Sequence, residues 1–197
     1  MTNKKILPLA QASILAALIA MMTFTPYVGY ISIAGLLSIT TLHIPVIIGA
    51  ILLGWRYSIF LGGVWGFTCL LYAMMQGTAD AAIFLNPMIS VVPRILVGFL
   101  TSMYFIWFSR LFKKFDKFNL PSIIMATICG TLTNTVLVLF AINIFGISGV
   151  VDIGATLGTI IEVAVGLNGL VELGGALILI SPIVIALKRA KVFNEQS

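Results

Sequence analysis

Apolar segments of about twenty residues recur along this chain and constrain its fold more than any other feature. The segment from Pro87 to Phe108 carries a single charged side chain, Arg94. A helix needs about 20 apolar residues to cross the hydrocarbon core of a bilayer. Of the 197 residues, 60% are hydrophobic and only 9% are charged. The chain is therefore predicted to be an all-α membrane protein, with one integral membrane domain covering residues 1–197.

The basic residues predict how the apolar block 42–76, which is broken at Gly54-Trp55-Arg56, is divided. Cytoplasmic loops are enriched in Lys and Arg. If the block forms two helices, ten of the eleven basic residues fall on the cytoplasmic side, and Arg94 is the exception. We expect both termini in the cytoplasm and loops 26–41, 77–86 and 146–160 outside. The six expected transmembrane helices form one bundle and cover about 6–25, 42–54, 57–76, 87–109, 121–145 and 162–187.

Five polar residues fall at similar predicted depths in the outer half of the membrane. Arg94 lies seven residues after Pro87, about 10 Å along the helix from its outer end. An arginine fork suits a carboxylate or phosphate, and amides suit hydroxyl or amide groups. The set predicts a pocket for a small polar molecule. Its members are His43, Arg94, Asn134, Asn168 and Glu172, the last two sharing one helix face.

Structural roles are also compatible with these residues. Arg94 can pair with Glu172 and tie the fourth helix to the sixth, because charges within membranes commonly pair. Asn134 can be a hydrogen bond between helices, and His43 a helix-end histidine with its bonds satisfied. Trp65 can line a pocket or pack in the core.

The first helix presents small residues at a regular spacing. Ala12, Ala16 and Ala20 recur every four residues, a pattern that lets another helix approach closely. That helix can belong to a separate membrane subunit or to the same bundle. Gly62 and Gly66 on the third helix have the same spacing, and for them we predict internal packing.

Motifs for several chemistries are absent from the sequence. It has no phosphate-binding loop ending in Lys-Ser or Lys-Thr, no His-Glu-x-x-His and no cysteine pair for a metal. We therefore predict no enzyme activity, no cofactor and no metal site. The net charge of +5 follows the topology and predicts no nucleic-acid partner. A binding subunit driven by partner ATPases, a stand-alone facilitator or channel, and an intramembrane enzyme are the competing functional classes.

Four stretches carry a resemblance to a known family. They are the alanine pattern from Ala12 to Ala20, Thr41-Leu42-His43-Ile44-Pro45-Val46-Ile47-Ile48-Gly49-Ala50, Asn86-Pro87 through Pro93-Arg94 to Gly98, and Thr131-Leu132-Thr133-Asn134-Thr135. With them, the whole length resembles the substrate-binding S components of energy-coupling factor (ECF) vitamin transporters, and among them the pantothenate type.

The resemblance implies a multi-pass protein of the bacterial plasma membrane that captures a vitamin from outside. It also implies a membrane coupling subunit, two cytoplasmic ATPases, and release of the vitamin inside by toppling in the membrane. Arg94, Asn134, Asn168 and Glu172 then become pocket candidates, with His43 and Trp65 as further ones, and Ala12, Ala16 and Ala20 become the docking face.

Pantothenate offers a carboxylate for Arg94, and an amide and two hydroxyls for the amide side chains. Glu172 would repel that carboxylate unless it binds the hydroxyl end or pairs with Arg94. Pyridoxine-like and hydroxymethylpyrimidine-like compounds and riboflavin therefore remain alternative ligands.

Overall fold

Helices make up most of the described chain, which covers residues 3–33, 37–77, 79–113, 119–145 and 166–190 in a computed structural model. A two-stranded antiparallel hairpin pairs Tyr30 with Thr40 and Ile33 with Leu37. In chain order the elements are α1 Asn3–Phe24, β1 Tyr30–Ile33, β2 Leu37–Thr40, α2 His43–Leu52, α3 Trp55–Gln76, α4 Ala79–Ile83, α5 Pro87–Ser90, α6 Val92–Leu111, α7 Leu120–Phe145 and α8 Leu167–Arg189.

Among the residues that the structure describes, five stretches of helix are long and apolar enough to cross a membrane, and they overlap five of the six predicted spans. They are Ile6–Phe24, Trp55–Gln76, Pro87–Leu111, Leu120–Phe145 and Gly169–Arg189. The remaining predicted span, 42–54, forms the ten-residue helix α2. At 1.5 Å per residue α2 is about 15 Å long, about half of the hydrocarbon thickness.

The short helix α2 forms the centre of the bundle. All ten of its residues, from His43 to Leu52, are buried. Its sequence is apolar on every side apart from His43, and a helix that is apolar all round is expected to be buried. It packs against α1, α3, α6, α7 and α8, so its surroundings are protein rather than lipid.

Helices α1 and α3 run parallel to each other. Thr23 and Thr68 share a hydrogen bond of 3.1 Å between their hydroxyls. Earlier in both helices, Leu15 and Leu61 both approach the position where a side chain on Gly49 of α2 would project. Two consecutive parallel helices require the chain between them to return, and α2 lies in that returning segment.

Helices α3 and α6 are antiparallel and approach closely at glycines. A side chain at Gly66 would lie 2.6 Å from the Cα atom of Val91, and one at Gly62 would lie 2.9 Å from the carbonyl carbon of Arg94. Such distances leave no room for a Cβ atom. The prediction that Gly62 and Gly66 serve internal packing is confirmed.

The predicted outer loop 26–41 contains the β1–β2 hairpin. Its strands alternate apolar and polar residues, Tyr-Ile-Ser-Ile and Leu-Ser-Ile-Thr, which is a strand pattern. The hydroxyl of Thr41 donates to the backbone carbonyl of Val28, and its backbone N–H donates to that of Gly29. The ends of the hairpin are thereby held together. The predicted loop 77–86 includes α4, and loop 146–160 lies outside the described residues.

Candidate functional site

A proline determines the position of Arg94. The predicted span 87–109 is interrupted at Val91, between α5 and α6. Pro93 has no backbone N–H, so the carbonyl of Ile89 four residues earlier receives no helical hydrogen bond from it. Arg94 Nη1 donates to that carbonyl over 2.5 Å. Pro93 thus leaves the Ile89 carbonyl free to accept a hydrogen bond, and the next residue, Arg94, donates it.

Two aromatic rings enclose the guanidinium group. Its central carbon lies 5.4 Å from the ring centroid of Trp65 on α3 and 5.4 Å from that of Phe84, between α4 and α5. A cation over an aromatic face is stabilised by the ring quadrupole, by about 2 kcal/mol when water is excluded. Arg94 is only 6% exposed. The rings therefore hold the charge in place inside the bundle.

No carboxylate neutralises Arg94 within the described part of the chain, and its Nε atom has no hydrogen-bond partner there. Glu172, the alternative partner, accepts hydrogen bonds from the backbone N–H of Thr40 at 2.5 Å and from its hydroxyl at 3.1 Å. The structural interpretation in which Arg94 pairs with Glu172 is therefore wrong. A charge within a membrane protein that lacks an anionic partner is by default a candidate functional residue.

The hairpin packs on the C-terminal half of α3, close to this site. The ring of Tyr30 stacks on that of Tyr72 with centroids 5.1 Å apart, and its hydroxyl lies 2.7 Å from the Sγ atom of Cys69. Burial raises the pKa of Tyr30 above its usual range, so the phenol stays protonated and can donate to the sulfur. Trp65, Cys69 and Tyr72 follow a spacing of four and three, which places them on one face of α3.

Glu172 connects the hairpin to α8. Its two bonds to Thr40, the last residue of β2, join residues that are 132 positions apart. The structure thus gives Glu172 a partner in the protein other than Arg94.

The register between α6 and α7 gives the depth of Asn134. Asn86 donates to the carbonyl of Phe145 at 3.3 Å, and Gly130 lies against the side chain of Thr101. The two helices are therefore antiparallel, and in this register Asn134 on α7 lies opposite Val97 on α6. That is three residues, or about 4.5 Å, deeper than Arg94.

His43 reaches the same depth from α2. Ile47, four residues after His43 on α2, lies beside Gly130 of α7. Asn134 is four residues after Gly130 on α7. His43 and Asn134 are thus each one turn outward from the Ile47–Gly130 contact, on the same helix faces. Both are buried. The ring of His43 lies beside the backbone of Thr40 without a hydrogen bond of good geometry, and the Oδ1 atom of Asn134 has no hydrogen-bond partner in the described chain.

The structure brings some of the residues predicted from sequence into contact and places others nearby. Trp65 and Arg94 lie in contact, His43 and Asn134 lie one turn deeper, and Glu172 lies at the hairpin. Asn168 is on α8, but its side chain lies outside the described residues. Sequence reasoning missed Tyr30, Thr40 and Phe84. Among the side chains that the structure describes, no three metal-ligating residues come together.

The alanine pattern on α1 faces partly inward. Ala12 is fully buried against the bundle, Ala16 packs on the core with part of its surface exposed, and Ala20 is also partly exposed. Ala12 therefore packs internally. The docking role stays a prediction for the exposed surfaces of Ala16 and Ala20.

Comparison with known proteins gives two kinds of match. The family model described as "ECF transporter, substrate-specific component" matches residues 8–184. The pantothenic acid transporter PanT of Lactococcus lactis subsp. cremoris is 37% identical over 166 residues, 77% of this chain and 79% of that protein. The pantothenate transporter PanT of Leuconostoc mesenteroides subsp. mesenteroides is 35% identical over 109 residues, 53% of each chain.

The fold agrees with these matches, because the matched residues span α1 to α8 and include the buried arginine, the aromatic rings around it and the hairpin. The family is a transport component, so the prediction of no enzyme activity is confirmed. This multi-pass membrane chain belongs to the family of substrate-specific S components of ECF vitamin transporters.

Proposed function

We propose that this chain binds pantothenate at the outer face of a bacterial plasma membrane and delivers it inward. In this proposal it works with an ECF membrane coupling subunit and two cytoplasmic ATPases. The names of the two relatives support the ligand. The buried, unneutralised guanidinium of Arg94 carries the argument, because pantothenate has one carboxylate and Arg94 has no anionic partner in the described chain.

Recognition of a carboxylate by Arg94 follows from its geometry. Nη1 is engaged by the Ile89 carbonyl, while Nε has no partner in the described chain. The rings of Trp65 and Phe84 fix the plane of the fork. A fixed guanidinium in a dry site binds a carboxylate through charge-assisted hydrogen bonds, about twice as strong as neutral ones.

The other predicted residues take roles around this anchor. Trp65 supplies an apolar wall and an indole N–H that has no partner in the described chain. His43, Asn134 and Asn168 serve the amide and hydroxyl groups of the ligand. Glu172 holds the end of the hairpin through Thr40, so the hairpin acts as the cover of the site.

The proposal includes six membrane crossings with both termini in the cytoplasm. The parallel arrangement of α1 and α3 supports a crossing by α2 and its flanking residues. Such a short helix is tolerated at membrane depth where protein rather than lipid surrounds it. The basic residues Arg56, Arg110 and Arg189 then lie on the cytoplasmic side, as the positive-inside rule requires.

Calorimetry on the purified chain tests the ligand. We expect saturable binding of pantothenate at one site, and no binding of riboflavin or pyridoxine under the same conditions, because neither carries a carboxylate for Arg94. Binding of either compound without binding of pantothenate would reject this ligand. It would leave the assignment to the transporter family intact.

Uptake assays test the partners. Ala16→Trp on α1 is expected to abolish pantothenate uptake by cells and to leave binding by the purified chain unchanged, because the bulky ring blocks close approach of another helix. Ile14→Trp is the matched control, since Ile14 is 68% exposed and lies on the opposite side of α1. It should retain both activities.

Two results would contradict the partner assignment. One is co-purification of the Ala16→Trp variant with the coupling subunit at the wild-type level. The other is uptake by cells that lack the coupling subunit, which would support a stand-alone facilitator instead.

A further inference from the structure

A row of buried hydroxyl groups continues inward from the candidate site. Thr101 on α6 is fully buried and Thr131 on α7 is 3% exposed. Neither Oγ1 atom has a hydrogen-bond partner within the described chain. A buried polar group without a partner costs free energy, so a ligand that reached these hydroxyls would gain their hydrogen bonds. Sequence reasoning assigned them no role.

The helix register brings these hydroxyls to one level. A side chain at Gly130 would lie 2.6 Å from the Oγ1 atom of Thr101 and 3.3 Å from the Cδ1 atom of Ile47. Thr131 is the next residue on α7. The hydroxyl level therefore lies between α2, α6 and α7, one turn deeper than His43 and than Asn134, whose Oδ1 atom also lacks a partner in the described chain.

The spacing from Arg94 matches the length of a small extended ligand. Thr101 is seven residues after Arg94, two turns along the same face of α6, and so about 10 Å deeper. Pantothenate has a chain about as long as three extended amino-acid residues, or about 10 Å. Its carboxylate is at one end, and its two hydroxyls are at the other.

From this juxtaposition we infer that His43, Asn134, Thr101 and Thr131 form a hydroxyl-binding subsite at the inner end of the pocket. The subsite fixes the direction of the ligand, with the carboxylate outward at Arg94 and the hydroxyls inward between α2, α6 and α7. This inference rests on the proposed function, and it adds the orientation and two residues that set specificity.

The inference makes two ligand hydroxyls the partners of the unpaired groups. The imidazole nitrogens of His43 and the hydroxyls of Thr101 and Thr131 can each donate or accept, and Asn134 Oδ1 accepts. A site built to bind hydroxyls rejects an analogue that lacks them, since its polar groups then stay buried and unpaired.

Thr101→Val and Thr131→Val test this subsite, because valine keeps the shape of threonine and removes only the hydroxyl. Calorimetry compares pantothenate with its dideoxy analogue, in which both hydroxyls are replaced by hydrogen. Each variant is expected to bind pantothenate about fivefold more weakly or worse, and to bind the dideoxy analogue as the wild type does. The wild type itself should prefer pantothenate.

Thr127→Val is the matched control. Thr127 is also fully buried with no hydroxyl partner in the described chain, but it lies one turn further inward on α7, beyond the reach of a ligand anchored at Arg94. Its affinity for both ligands should equal that of the wild type.

The outcomes separate the inference from the proposed function. Wild-type affinity in Thr101→Val and Thr131→Val, equal losses for both ligands, or an equal loss in Thr127→Val would each overturn the subsite while leaving pantothenate as the ligand. Absence of pantothenate binding by the wild type would instead reject the proposed function, and the subsite with it.

Discussion

Replacing Arg94 with methionine is expected to weaken pantothenate binding by roughly thirty-fold to three-thousand-fold. Removing one member of a buried, hydrogen-bonded charge pair costs about 2–5 kcal/mol, and about 1.4 kcal/mol corresponds to a factor of ten in affinity. Methionine keeps the apolar packing of the arginine stem, but it removes the guanidinium from between Trp65 and Phe84 and leaves the ligand carboxylate buried without a counter-charge. Calorimetry on the purified variant gives the affinity.

Pantothenol, in which a hydroxymethyl group replaces the carboxylate, provides the control ligand. The wild type should bind pantothenate more tightly than pantothenol, and the Arg94→Met variant should lose that preference. The affinity of the Arg94→Lys variant for pantothenate should lie between those of the wild type and Arg94→Met, since lysine retains the charge without the planar fork. A variant that binds both ligands less tightly by the same factor would indicate that Arg94 acts on the fold rather than on the carboxylate.

The unliganded protein gives a second readout for the same residue. Arg94 is a buried charge that has no anionic partner in the described chain, and such a charge is costly in a membrane protein. The thermal unfolding temperature of the Arg94→Met variant without ligand should therefore equal or exceed that of the wild type. A large decrease would mean that the bond to the Ile89 carbonyl serves mainly to hold α5 against α6.

Much of this architecture follows from composition and spacing. The long apolar runs predicted α1, α3 and α7 with ends within a few residues, because each must cross the bilayer as a helix. They also predicted α8, which begins at Leu167, whereas its predicted start at 162 lies outside the described residues. Arg94 was identifiable because an isolated charge in such a run is costly. Gly62 and Gly66 were assigned to internal packing from their spacing, and α6 indeed crosses α3 there.

Contacts between distant parts of the chain were not predictable in the same way. The bonds from Thr40 to Glu172 span 132 positions, and no local pattern connects the two residues. The ring of Phe84 reaches Arg94 from the segment between α4 and α5, where α4 packs against α3. The break at Val91 had a local signal, since Pro93 cannot donate to Ile89, but the apolar run concealed it.

Replacing Gly62 with alanine is expected to lower the unfolding temperature by several degrees and to weaken pantothenate binding as well. The added methyl group would lie 2.9 Å from the carbonyl carbon of Arg94 and 3.0 Å from the Cα atom of Ile95. Because both neighbours are backbone, α6 must move away from α3. Overpacking of this kind costs about 1–3 kcal/mol, and it displaces Arg94 itself.

Gly63→Ala is the matched control, one residue further along the same helix. A methyl group there would meet only the flexible side chain of Ile95, at 3.9 Å. Alanine is favoured over glycine inside a helix by up to about 1 kcal/mol, so this variant should be as stable as the wild type or more stable. Thermal unfolding in detergent and calorimetry on both variants measure the two effects.

The two glycines separate helix propensity from helix packing. If Gly62→Ala and Gly63→Ala behaved alike, the close approach of α3 to α6 would not limit stability. If Gly62→Ala lost stability but kept full affinity, the site would tolerate movement of α6, and the position of Arg94 would depend on its bond to Ile89 and the aromatic rings alone. Loss of both properties in Gly62→Ala only would show that the α3–α6 contact positions the arginine for its ligand.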